Sequence, residues 1–172
     1  NDNYKKRFIS EQKTNKFSVA ISENLFLNKN YQKKIYRKIK KSVLKKRGEY
    51  LYSGLFFFYV PKIIKTITGQ SYLEYLENSF FNKLKNKDLT FYPKDKLKVT
   101  PTEYDQRFRK RLIHGTVHDE ASSFFSGLSG NAGLFGSATS IGELIGFVEN
   151  WGNERDKIFS SKTIEQFTRY AT

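Results

Sequence analysis

Four short stretches of this 172-residue chain carry side chains of the kinds that do chemistry. Ser42-Val43-Leu44-Lys45 is a Ser-x-x-Lys pattern. On a helix that spacing sets a hydroxyl beside an amine able to take its proton, as an acylating serine requires. Lysine supplies 23 of the residues, so chance furnishes the pattern easily. His114 and His118 stand four apart, with Asp119 and Glu120 following. A helix would turn both imidazoles to one face, where they could bind zinc. Gly115, Thr116 and Val117 disfavour that helix, and the glutamate is not where a zincin needs it. The expected role is a histidine holding loop backbone. "SGLSGNAGLFGSA" (126–138) lacks the Gly-Lys-Ser/Thr of a phosphate loop, and Ser129 runs directly into Gly130 instead of forming Gly-x-Ser-x-Gly. Closely packed backbone beside a site is the expectation there, with an oxyanion contact left open. Finally, Tyr52, Ser53 and Gly54 precede the apolar run "LFFFYV". A tyrosine at such an edge is ordinarily an anchor, ring inward and hydroxyl outward, and the pattern alone leaves a chemical role open.

Several elements must position these residues. Residues 1–29 show no sustained periodicity and read as a polar, partly extended lead-in. "NYQKKIYRKIKKSVLKK" (30–46) predicts a basic amphipathic helix with Tyr31, Ile35, Ile39 and Val43 in one stripe. A second helix is expected from Ser53 to Thr68, its apolar run a buried face, bent or divided at Pro61 and closed by Gly69. Ser71 and Glu74 form a capping box for a third. Residues 86–101 read as loop, "LTFYP" being the best strand candidate, and 102–120 as charged and irregular. Ser140 and Glu143 predict a helix start, with Leu144, Phe147, Val148 and Trp151 buried. "SKTIEQF" (161–167) predicts a final short helix.

The net charge of +14 is concentrated. Residues 1–50 carry +11 and residues 51–172 only +3. Arginine, whose fork reads phosphates and bases, supplies only 8 of the 31 basic residues, which argues against nucleic acid. There is no cysteine, so disulfides and thiolate metal sites are excluded while the compartment stays open. No apolar run approaches the ~18 residues of a membrane-spanning helix. The chain begins with Asn and shows no signal-peptide pattern, so a trimmed or partial product is expected.

Two long segments, in order, carry a family resemblance. "YLYSGLFFFYVPKIIKTITGQSYLEYLENSFFNKL" resembles the stretch of serine β-lactamase-like hydrolases that holds their Tyr-Ser/Ala-Asn motif and the next two helices. "PTEYDQRFRKRLIHGTVHDEASSFFSGLSGNAGLFGSA" resembles the downstream part of the same domains. The similarity extends over roughly residues 25–170 and is nearest the class C-like, penicillin-binding-protein-related hydrolases of bacteria, some fused behind a β-hexosaminidase-type glycosidase. It implies an α+β fold of β-lactamase/transpeptidase type, a helical subdomain (30–100) returning to an α/β part (101–172) in one partial domain. It implies an acyl-enzyme formed at a Ser-x-x-Lys serine on a peptide, amide or ester substrate, peptidoglycan-derived ones among them. A bacterial, periplasmic or exported location is favoured, and no cofactor is expected.

By resemblance Tyr52 is the proton-moving catalytic tyrosine, and Ser53 and Gly54 are the substrate-binding positions after it. Gly54 lacks the amide that relatives carry there, and Asn131 stands where many have His. The family's nucleophile lies far upstream of its tyrosine. Ser42 precedes Tyr52 by only ten residues, and no Lys-Thr-Gly or His-x-Gly follows residue 138. These residues therefore read as the central portion of such a hydrolase, inactive alone and prone to associate without its flanking pieces, its expected partners being those pieces or a fused glycosidase domain. One alternative is a non-catalytic binding module on the same scaffold. Another is a nucleic-acid or anionic-surface binder using the basic helix.

Overall fold

A computed structural model describes residues 7–43, 48, 51–85, 87–148 and 159–169. Its elements are β1 (Ile9–Ser10), β2 (Phe17–Ser22), β3 (Leu25–Asn28), α1 (Tyr31–Lys40), a 3-10 turn (Leu55–Tyr59), α2 (Val60–Thr68), α3 (Tyr72–Ser79), β4 (Glu103–Asp105), β5 (Arg111–Ile113), α4 (Glu120–Ser123), α5 (Ala138–Val148) and α6 (Ser161–Thr168). The described residues are α+β and divide into two compact units. One draws on Asn1–Leu73 and Phe91–Leu134, the other on Glu74–Thr90 and Phe135–Thr172.

In the first unit, β1, β3 and β2 form an antiparallel sheet in that order. Residues 9–28 are thus a sheet where a lead-in was expected. The strands are too short and too bulged for a period of two to show. Asn24, at φ 49, closes the β2–β3 hairpin in a backbone region that asparagine tolerates. Ile21, Leu25 and Leu27 are buried, with Phe8, Ile9, Val19, Tyr31, Phe108 and Phe124 packed around them. Burying such a side chain contributes about 1.5–3 kcal/mol. Helix α1 presents Tyr31, Ile35 and Ile39 half-buried, whereas Val43 lies past its end and is exposed.

The charged stretch after residue 101 is an ordered hairpin, not irregular chain. Strand β4 pairs with β5 through Glu103↔Ile113, Tyr104↔Leu112 and Asp105↔Arg111. Between the strands Asp105 accepts the N–H groups of Arg107 (3.0 Å), Phe108 (2.8 Å) and Arg109 (2.9 Å). Arg109, only 1% exposed, pairs with Asp105 at 3.0 Å. It also donates to the carbonyls of Val117 (2.7 Å) and His118 (2.6 Å). Burial pushes the Asp105 carboxyl up, but the N–H groups of Phe108 and Arg109, the guanidinium and the Arg107 N–H outweigh it and hold the carboxyl at about 2.

The expected helix over 53–68 is two pieces. The 3-10 turn precedes α2, whose first turn contains Pro61, the place where proline's missing N–H costs least. Gly69 ends α2 at φ 75, its N–H donating to the Lys65 carbonyl.

In the second unit Leu84 and Leu89 are buried, and Thr90 and Phe135 exchange backbone hydrogen bonds of 3.0 and 2.8 Å. Helix α5 starts at Ala138, earlier than expected, because Ser137 Oγ accepts the Ser140 N–H at 3.2 Å. Ser140 is buried inside the helix instead of capping it, and its hydroxyl donates to Asp88. Leu144, Phe147 and Val148 are half-buried, and Trp151 lies outside the described residues. Ser160 caps α6 through the Thr163 N–H, 3.2 Å away.

Candidate functional site

Tyr52 sits on the approach to the 3-10 turn, and its side chain is 85% exposed. The residues behind it form a tight local structure. Ser53 Oγ accepts the Leu55 N–H at 3.3 Å, and the Gly54 carbonyl accepts the Phe57 N–H at 3.1 Å. Of the aromatic run only Phe58 is buried; Leu55, Phe56 and Phe57 remain 42–63% exposed. This corrects the expectation of a buried helix face. Three residues per turn aim neighbouring side chains too far apart for one short element to bury them all.

A ring cluster pins that turn. Phe58 stacks on Phe125 with centroids 5.2 Å apart, and Phe125 meets Tyr36 at 5.3 Å. Tyr36 in turn lies 5.0 Å from Tyr59. The Tyr36 hydroxyl donates to the Phe58 carbonyl at 3.1 Å, and that of Tyr59 to the Tyr36 carbonyl at 2.9 Å. Burial pushes the Tyr36 phenol above its ordinary value, so it stays neutral and structural.

The glycine-rich passage docks against the same turn. Gly130 N–H donates to the Phe57 carbonyl at 3.1 Å, and a Cβ on Gly130 would stand only 2.8 Å from that oxygen. Only glycine allows this approach. Gly133, at φ +110, would drive a Cβ into the Gly127 carbonyl oxygen. These two positions fold the passage back on itself and bring together three polar side chains. Ser129 Oγ lies 2.8 Å from Ser122 Oγ and 2.9 Å from Asn131 Oδ1, and Ser122 Oγ lies 3.3 Å from the same Oδ1. Both serines are buried and Asn131 is exposed. Its Nδ2 faces Gly54, where an added Cβ would stand 3.8 Å away. The glycine-rich passage therefore meets the 3-10 turn at Phe57–Gly130, and the segment of Tyr52, Ser53 and Gly54 at Gly54–Asn131.

The other candidates are elsewhere engaged. Ser42 lies exposed beyond the end of α1 and donates to the Ile39 carbonyl at 2.6 Å; Lys45 is outside the described residues. His114 Nε2 is 2.8 Å from the Val99 carbonyl, and His118 Nδ1 is 3.0 Å from Thr102 Oγ1. Both histidines thus hold loop neighbours. Among the described residues no group of three His, Asp or Glu could hold a metal ion. Among them, too, no helix is long and apolar enough to cross a membrane. Ser122 carries no signal in spacing or motif. The positive-φ residues Ser126 and Gly127, between the two serines, carry Ser129 back to it.

Comparison with known proteins adds a direction. The chain is similar to curated bacterial proteins named "Putative D-alanyl-D-alanine carboxypeptidase". It is 29% identical to one from Salmonella gallinarum (strain 287/91 / NCTC 13346) over 168 residues, covering 83% of this chain and 39% of that protein. It is 30% identical to one from Escherichia coli O157:H7 over 138 residues, covering 70% and 32%. One from Escherichia coli (strain K12) matches equally, at 30% over 138 residues with 70% and 32% covered. The chain thus spans about a third of the length of the curated relatives it matches. No protein-family model matches it, and no solved structure matches it significantly.

Proposed function

We propose that these residues are the tyrosine-bearing portion of a β-lactamase-like serine hydrolase acting on peptides that end in D-alanyl-D-alanine. The observation that carries this reading is the 168-residue similarity to a protein named as a carboxypeptidase of that dipeptide. The exposed Tyr52 on a pinned turn supplies a group fitted to the chemistry. In this reading a serine Oγ adds to the penultimate peptide carbonyl, and the C–N bond to the terminal D-alanine breaks. The departing nitrogen receives a proton passed through the Tyr52 phenol. Water then cleaves the resulting ester and restores the serine hydroxyl. Ser42, ten residues before Tyr52 and turned to its own helix end, does not serve as that nucleophile, so the residues described here are inactive alone.

The test is D-alanine release from an acyl-D-alanyl-D-alanine peptide by the full product of the gene. Release at enzymatic rates supports the reading, and none from a folded product overturns it. With the 172-residue chain alone, a β-lactam or p-nitrophenyl ester is expected to leave no adduct on Ser42 by mass spectrometry. Stoichiometric acylation there contradicts the assignment. A second reading, a non-catalytic binding module, draws on Gly54, which offers no side chain to a substrate. It predicts peptide binding without turnover.

A further inference from the structure

We infer that Asn131 supplies the side-chain amide that binds a substrate carbonyl beside Tyr52, across the space that Gly54 leaves open. This rests on the hydrolase reading above and adds a binding residue to it. Three observations carry it. First, Asn131 Oδ1 is engaged, with Ser129 Oγ at 2.9 Å and Ser122 Oγ at 3.3 Å. A carbonyl held by hydroxyl groups fixes which edge of the amide points away from them. Second, those hydroxyls belong to buried serines that contact each other at 2.8 Å. Ser129 Oγ also lies 3.2 Å from the Ala132 carbonyl, so Oδ1 faces a buried cluster of oxygen atoms. Third, Asn131 is exposed and its Nδ2 faces Gly54.

A side chain at position 54 would begin 3.8 Å from that nitrogen, in van der Waals contact with it. Gly54 has φ −81 and ψ −5, a conformation open to any L residue. The turn therefore does not require glycine, and what the missing side chain leaves is room in front of a fixed N–H donor. A donor pre-oriented by buried partners, facing a glycine that stands two residues in sequence from an exposed phenol, suits an acceptor of peptide-carbonyl type. Ser122 and Ser129 are positioning residues, acting through Asn131.

Gly54→Ala separates this role from a structural one. Alanine is conformationally permitted there, so the thermal midpoint is expected to hold or rise. The methyl group obstructs Nδ2, and KM for an acyl-D-alanyl-D-alanine peptide is expected to rise severalfold. Asn131→Asp keeps the shape and removes the donor. KM is expected to rise roughly five-fold or more with kcat changing less, the mark of lost uniform binding. In the 15N-asparagine-labelled full gene product, the side-chain NH2 signals missing from Asn131→Asp identify Asn131, and those signals are expected to shift when the peptide is added. Normal D-alanine release with unmoved Asn131 signals and an unchanged KM in both variants overturns the assignment and leaves the hydrolase reading standing. No release and no shifted signal overturns both.

Discussion

The Asp105–Arg109 knot and the Tyr52–Asn131 surface lie in the same compact unit and are built on opposite terms. In the first, two charges are almost wholly removed from water, and the groups around them are consumed by one another. The carboxylate takes three N–H groups and a guanidinium, and the guanidinium also takes two carbonyls. In the second, the backbone is pinned just as firmly, by Gly130 on Phe57 and by the ring cluster, yet the phenol and one edge of an amide are left facing outward. Saturation of polar groups marks architecture. A rigid backbone that presents an exposed phenol and an amide edge is what the proposed substrate site requires.

The contrast breaks most visibly at Arg109. Arg109→Met leaves a buried carboxylate without its cation and two carbonyls without donors, an expected loss of about 3–5 kcal/mol in denaturant unfolding. Acid probes the same knot more gently. The Asp105 carboxyl is depressed in the folded chain, so its contribution is complete above its ordinary value near 3.8 and is lost as pH falls toward about 2. About 2 kcal/mol of stability should disappear across that window, visible as a falling thermal midpoint that is less steep in Asp105→Asn. Gly130→Ala tests whether the surface is as firmly built. A Cβ 2.8 Å from the Phe57 oxygen must force the turns apart, at an expected cost of about 1–3 kcal/mol. At the small end, Phe56→Ser removes a largely exposed ring. Stability is expected to stay within about 0.5 kcal/mol by the same unfolding assay.

Much of the helical framework was readable because local chemistry decides it. Gly69 ends α2 in the left-handed conformation expected of a C-terminal glycine, and Pro61 falls in the first turn where its ring is tolerated. Helix α3 begins directly after the Ser71 capping position. The strands were not readable, since two- to six-residue segments interrupted by bulges carry little alternation. Asp105 and Arg109, four apart, resemble a helical ion pair, whereas the carboxylate is wrapped in its own loop. Around the site, the segment 52–54 and the glycine-rich turn were each visible as patterns. Their contact was not, because it depends on a Cβ that is missing at Gly130 and on a chain reversal that brings Ser122 to Ser129 across seven residues. The burial expected of the whole aromatic run failed for a similar reason, since a 3-10 turn exposes what an α-helix would have aligned.

Tyr52→Phe, which removes one oxygen from an exposed ring, decides whether the Tyr52 phenol works on a substrate or merely decorates a surface. In the full gene product, D-alanine release is expected to fall by about 10²–10⁴-fold, the usual worth of a proton-transfer group, while the unfolding midpoint stays where it was. Equal turnover in the two proteins would contradict the role given to Tyr52.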